Sequence, residues 1–417
     1  MTLCQVFQIE NGQSLHVAGC CPEIKAGGGD QMKFIAAMDS FKGSLSSLEA
    51  NEAVRKGIKT IFEDADVRVF PMGDGGEGTI DALIDGLGGE IRSREVTGPL
   101  GGKLNARYGF VDKENLAVIE IAEACGLTLL AEDALDPWRA TTYGVGELIN
   151  RAYEEGARTF IIGLGGSATN DGGVGMLQAM GYDFLDQSGN PVGFGGAALS
   201  NIHEIIKAEA ASKFDVCDFR VACDVNNLLY GSNGATYIFG PQKGATEDSL
   251  SDLDDAMKHY AEITEEQMDI DIASVEGGGA AGGLGAAFHG YLGARIESGI
   301  RLVIDLLDLE SEIKDADLVI TGEGRLDAQT AMGKVPSGIA KTAEKHEVPV
   351  IAFGGSVTDG AYELTTAEMS AIFSIQHTPM SLEEAMDSGL TRFNLEKTVS
   401  QVISVLAMNH TKKFPGN

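Results

Sequence analysis

The sequence predicts an α/β protein built on a parallel, doubly wound sheet, with a second, mixed α/β domain inserted into it. Three observations carry that prediction. Short apolar runs ending in Gly, Ser or Asp alternate with segments of helical spacing, the rhythm of successive βα units. The 55 glycines cluster in turns after those runs while Pro numbers only 10, which marks backbone shaped for close approach. In the middle of the chain the rhythm breaks, and residues 91–123 read as a meander of antiparallel strands.

Residues 1–31 have neither the basic start nor the apolar stretch of a secretory signal, and they end in AGGGDQ, a flexible joint. The strong pattern begins at Met32, so this extension is expected to be disordered or not native. KFIAAMDS (33–40) is the first buried strand, followed by SSLEANEAVRKGIKTIF (46–62), a helix with Ser at its N-cap. VRVFPMGDGG (67–76) is the next strand and turn. After the meander, TTYGVGELINRAYEEGA (141–157) is a helix and TFIIGLGGS (159–167) a strand. FRVACDVNNLLYGSNGATYIFG (219–240) reads as strand-rich, and ADLVITGEG (316–324) and VPVIAFGGS (348–356) return to the parallel pattern. The expected division is 32–90 plus 300–417 for the doubly wound domain and 91–299 for the inserted one.

Asp and Glu outnumber Lys and Arg by 62 to 31, a formal charge of −31. Such a surface repels nucleic acid and anionic lipid, so neither is an expected partner. No apolar run approaches the ~20 residues of a spanning helix. The six cysteines, Cys4, Cys20, Cys21, Cys125, Cys217 and Cys223, form no C-x-x-C pair and suit the reduced thiols of a cytoplasm.

Five turns concentrate polar groups where strands should end, the place where doubly wound folds hold ligands. DSFKGSLSS (39–47) offers Asp39, Ser40 and Lys42 on a strand-to-helix turn suited to an anion. GDGGEGT (73–79) leaves Asp74 and Glu77 uncovered, as a general base or Mg²⁺ ligand requires. GLGGSATNDGG (163–173) gathers Gly165, Gly166, Ser167, Thr169, Asn170 and Asp171, the mixture of amides, hydroxyls and carboxylate that phosphoryl transfer uses. In residues 222–246, Asp224 is a candidate metal or substrate ligand and Lys243 a candidate cation at a turn. ITGEGRLDAQTAMGKVPSG (320–338) carries Glu323, Arg325, Asp327 and Lys334, with the two cations suited to carboxylate or phosphate. A sixth stretch, GGGAAGGLGAAF (277–288), fits G-x-G-x-x-G through Gly277, Gly279 and Gly282. Absent are a Walker-type phosphate loop, a kinase H-R-D loop, a G-x-S-x-G elbow and His/Cys metal spacing.

Taken in order, DSFKGSLSS, GDGGEGT, GLGGSATNDGG, GPQKGAT, GGGAAGGLGAA and DLVITGEGRLDAQTAMGKVPSG resemble the type 1 glycerate kinase family, from Met32 to about residue 410. Gly73 and Leu228 depart from that pattern, standing where Ala and Pro are usual. The resemblance implies two domains, one flavodoxin-like, and ATP- and Mg²⁺-dependent phosphorylation of D-glycerate at one of its two hydroxyls. On this reading Lys42 and Arg325 pair with substrate carboxylate or transferring phosphate, and Asp39, Ser40, Asp327 and Lys334 bind substrate. Asp74 or Asp171 orients and deprotonates the hydroxyl, and the other helps place Mg²⁺. Gly165, Gly166, Ser167, Thr169, Asn170, Gly279 and Gly282 face nucleotide or phosphate, with Asp224 and Glu323 near the metal. The alternatives are an NAD-dependent 2-hydroxyacid dehydrogenase using 277–288 and a non-catalytic sugar-acid-binding protein. Oligomeric state is left open, a homodimer being allowed.

Overall fold

The computed structural model describes residues 31–76, 78–366 and 369–411. The N-terminal extension, apart from Gln31, lies outside the described residues, as does Glu77. Thirteen strands occur among the described residues. They are β1 Lys33–Met38, β2 Asp66–Val69, β3 Glu90–Thr97, β4 Lys103–Val111, β5 Leu116–Glu120, β6 Thr159–Gly163 and β7 Tyr182–Leu185. The remainder are β8 Glu204–Lys207, β9 Asp218–Ala222, β10 Arg295–Glu297, β11 Leu318–Leu326, β12 Val350–Val357 and β13 Ala371–Ser374.

They form a five-stranded sheet, β13-β12-β11-β1-β2, a six-stranded sheet, β10-β9-β6-β5-β4-β3, and a β7–β8 pair. Every pairing in the first sheet is parallel. In the second, β3, β4 and β5 pair antiparallel, as the meander predicts, while β5, β6, β9 and β10 run parallel. The fold is therefore mixed α/β, with one parallel and one mixed sheet. The strand-rich reading of 219–240 holds only to Ala222. Residues Ala235–Phe239 are a helix instead, because a strand needs a paired neighbour and this segment folds back over the cavity described below.

Alternation along β1 shows how the first sheet is covered on both sides. Phe34, Ala36 and Met38 face the layer made by helices Ser47–Lys59 and Ser388–Thr411. Ile35 and Ala37 face a second layer that includes Ile300, Leu302, Val303, Val335 and Ile339. That second layer is shared: Val111, Val118 and Ile161 of the six-stranded sheet reach it through Ile80, Leu83 and Ile84 of helix Thr79–Leu87. The other face of the six-stranded sheet packs on a separate core with Phe160, Phe219 and Phe288.

Candidate active site

Helix Ser47–Lys59 begins in a capping box, with Glu49 N–H donating to Ser46 Oγ (3.2 Å) and Ser46 N–H to Glu49 Oε2 (3.0 Å). Two buried residues in its first turns fix the ends of neighbouring segments. Asn51 Oδ1 accepts from Met38 N–H (3.0 Å) and its amide donates back to Met38 O (3.2 Å). Ser47 Oγ donates to Met38 O (2.6 Å) and accepts from Met72 N–H (2.7 Å). One helix terminus thereby holds the backbone just before Asp39 and just before Asp74. The sequence marks Ser46 as a cap but gives no sign of this tethering, whose partners lie 9 to 25 residues away.

Asp39 leaves the carboxyl end of β1 beside β11, its N–H donating to Gly322 O (2.8 Å). Burial first, then the neighbouring Asp74, push its carboxyl up to about 7, against the opposing Ser40 N–H; Glu323 adds to the rise and Lys42 subtracts from it. Glu323, on β11, is itself raised by burial and by Asp74, although Lys334 (Nζ–Oε2 3.5 Å) and Thr330 Oγ1 (2.8 Å) hold it. Gly324 lets the turn at 41–42 approach, since a Cβ there would lie 3.3 Å from Phe41 Cα. Arg325 is exposed and pairs with Asp327 (3.1 Å), which also caps the following turn by accepting from Gln329 N–H (2.9 Å). The residues expected to hold substrate lie on the turn after β1 (Asp39, Ser40, Lys42), near the end of β11 (Arg325) and in the segment that follows it (Asp327, Lys334). Glu323 is already satisfied by Lys334 and Thr330, which weakens its expectation as a metal ligand.

The turn after β2 bridges the two sheets. Gly75 takes φ +89, and a Cβ on it would fall 2.6 Å from Ala222 Cβ at the end of β9. A Cβ on Gly163, at the end of β6, would fall 2.5 Å from Gly75 O. Only glycines allow this wedge. It carries Asp74 to the point where both carboxyl edges meet, electrostatically coupled to Asp39, Glu323 and Asp224. Beneath it, Glu120 at the end of β5 is 6% exposed and accepts from Ile80 N–H (2.8 Å), and burial pushes it up to about 7.

From Asp74 a cavity of about 280 Å³ runs along the ends of β6 and β9. Gly165, Gly166 and Ser167 form one wall, Ala222, Cys223, Asp224 and Val225 another, and Phe239, Gln242, Lys243, Ala280 and Ala281 close it. Asp224 is solvent-exposed as a residue, but its carboxyl end is enclosed enough for desolvation and Asp74 to raise it, against bonds from Ser298 and Gly299 N–H (3.2 Å). Lys243 is 1% exposed, and its Nζ donates to Ser167 Oγ (2.9 Å) and Thr169 O (2.7 Å). Burial pulls it down to about 8. The GPQKGAT turn looks solvated in sequence, so nothing local betrays that its lysine is a buried cavity residue.

The structure places several of the expected site residues away from the cavity. Asp171 does not line the cavity: it is 1% exposed and accepts from Thr142 N–H (2.8 Å), Thr142 Oγ1 (3.0 Å), Gly173 N–H (3.1 Å) and Gly175 N–H (3.3 Å). Its carboxylate joins the starts of helices Tyr143–Glu154 and Val174–Ala179. Thr169 and Asn170 are fully buried behind the wall, Asn170 donating to Thr236 Oγ1 (3.0 Å). Gly279 and Gly282 face protein backbone, because their Cβ positions would fall 2.2 Å from Leu228 O and 2.0 Å from Thr169 O. Their loop reaches the cavity through Ala280 and Ala281 instead. Residues 269–276, which a dinucleotide fingerprint would need as a strand, form none.

Among the described residues no cluster of three metal-ligating side chains occurs, and no helix is long and apolar enough to cross a membrane. The model of the glycerate kinase family matches residues 34–407. The chain is 47% identical to Glycerate 2-kinase of Escherichia coli K12 over 354 residues, covering 85% of this chain and 93% of that protein. It is 45% identical to Glycerate kinase of Bacillus subtilis 168, covering 91% and 99%. A crystal structure assigned as glycerate kinase 2 of Salmonella typhimurium LT2 superposes with a TM-score of 0.84 at 42% identity, covering 92% of this chain and all of that one. The chain belongs to the glycerate kinase family.

Proposed function

We propose that the protein transfers the γ-phosphoryl group of ATP to O2 of D-glycerate, giving 2-phosphoglycerate and ADP. Family membership supports the activity, and the name of the Escherichia coli relative supports the position. The observation that carries the reading is the placement of Asp74. It lies at one end of the cavity and is coupled to the carboxyls of Asp39, after β1, and Glu323, on β11. ATP would fill the cavity with its phosphates toward Gly165, Gly166 and Ser167, and glycerate would lie between Asp74 and the Lys42, Arg325 and Lys334 cations. Asp74 would orient the hydroxyl and take its proton as the oxygen attacks the γ-phosphorus and the bond to ADP breaks. Asp171 acts at a distance, by fixing the turn that follows the phosphate wall.

The cavity suits Mg²⁺, a hard cation that binds through one or two carboxylates and substrate phosphates. Asp224 and Asp74 supply oxygen donors whose mutual repulsion a cation would relieve. Asp224 would hold the ion, which would neutralise phosphate charge. The five-stranded sheet with its helices corresponds to a flavodoxin-like domain (32–90 plus 300–417) and 91–299 to the inserted domain. The acidic surface and thiol usage fit a cytoplasmic enzyme of free small molecules.

Phosphorus NMR of ATP, Mg²⁺ and D-glycerate with the protein tests the reading. A 2-phosphoglycerate resonance is expected; a 3-phosphate would correct the position, and no phosphoglycerate would refute the activity.

A further inference from the structure

We propose that Lys243 is the cation that binds the phosphate chain of the nucleotide, a charge the fold buries without a carboxylate partner and leaves for an anionic ligand to balance. The inference rests on the nucleotide reading of the cavity and names a residue within it. Lys243 ends the tight turn Pro241–Lys243 after helix Ala235–Phe239. The turn is fixed by Gly244, at φ +96, where a Cβ would fall 2.4 Å from Leu135 O. The side chain passes inward to the wall formed by Gly165, Gly166 and Ser167.

Both acceptors of its Nζ, Ser167 Oγ and Thr169 O, are neutral, whereas an ammonium has three hydrogens to donate. Among the described residues no carboxylate lies within ion-pair distance of it. The groups that face it are few. Asp171, held by its own backbone donors and making no ion pair with Lys243, offsets the charge only in part, and the buried Cys125 thiol is pushed up to about 12 and stays neutral. Cys223, Asp74 and Asp224 share the cavity, the Cys223 thiol also raised by burial. Burying an uncompensated charge is costly, and a protein tolerates it where a ligand completes the pair. The exposed backbone of Gly165 and Gly166 beside it adds donors of the kind that bind phosphate.

A brace that merely held Ser167 and Thr169 in place would have the same hydrogen bonds, so the test must see the charge. With Lys243 pulled down to about 8, about half the nucleotide-free molecules carry a neutral amine near pH 8. A phosphate chain raises that pKa, and binding then takes up a proton. Calorimetric titration of the full-length protein with MgADP, in two buffers of different protonation enthalpy, counts it. The expected uptake is about half a proton near pH 8, falling toward none near pH 6.5. K243Q should bind MgADP at least about tenfold more weakly with the uptake gone.

Wild-type binding with no uptake near pH 8, or a folded K243Q that matches wild type in affinity and uptake, would overturn this inference alone. If K243Q fails to fold, the pH dependence of wild-type uptake decides by itself. Failure of MgADP to bind wild type at all would overturn the nucleotide reading and this inference with it.

Discussion

Glu120→Gln removes a buried carboxylate while keeping its shape and its acceptor for Ile80 N–H. Burial is the largest influence on Glu120; the Ile80 N–H opposes it, Glu123 and Asp81 add to the rise, and Arg107 subtracts. The result is about 7 against an ordinary 4.5. A carboxyl whose native pKa is raised binds more protons folded than unfolded. Its contribution is therefore full below 4.5 and is lost as the pH climbs through about 7. At about 1.4 kcal/mol per pH unit, the loss is about 3 kcal/mol once both states are ionised. Glutamine carries no such loss. E120Q should thus be more stable than wild type by about 2–3 kcal/mol near pH 8, with the gap closing toward pH 5. Urea unfolding of both proteins across that range measures it. A stability difference that stays constant from pH 5 to pH 8 would refute the reasoning.

Asp74→Asn should lower kcat by roughly 10²–10⁴-fold while the protein remains folded, since it removes the proposed proton acceptor; steady-state kinetics with D-glycerate checks this, and near-normal turnover would reject the assignment. Asp171→Ala should cost about 2–4 kcal/mol by stranding the buried Thr142, Gly173 and Gly175 donors. Its kcat per folded molecule should stay within about tenfold of wild type, and a fully stable but inactive D171A would return Asp171 to the chemistry.

The outline of the site was legible because parallel strands end in turns that must be polar, small or capped. Asp39, Asp74, Gly165–Ser167 and Asp224 stand in such turns and Glu323 near the end of β11, where local pattern suffices to find them. What sequence could not supply was the object each group faces. Asp171 reads as a free carboxylate until Thr142, 29 residues away, is seen donating to it. Gly279 and Gly282 read as positions of close approach to nucleotide or phosphate, whereas their Cβ positions face the carbonyls of Leu228 and Thr169. Tyr237, Ile238 and Phe239 have the β propensity of a strand, yet they form a short helix that pairs with no strand. Lys243 reads as a candidate cation at a turn, but its burial comes from long-range packing that local pattern does not show.

The apolar layer common to both sheets bears on how the chain comes apart. Helices Thr79–Leu87 and Gly299–Leu306 lie near the borders between the two sheet-forming regions, yet their side chains belong to one continuous interior. Cutting the chain at either border would strip Leu83, Ile84, Leu302 and Val303 of partners and leave two fragments with sticky faces. The regions are distinguishable in architecture but share one layer of packed side chains. Large hinge opening at these borders would expose the same apolar layer to water.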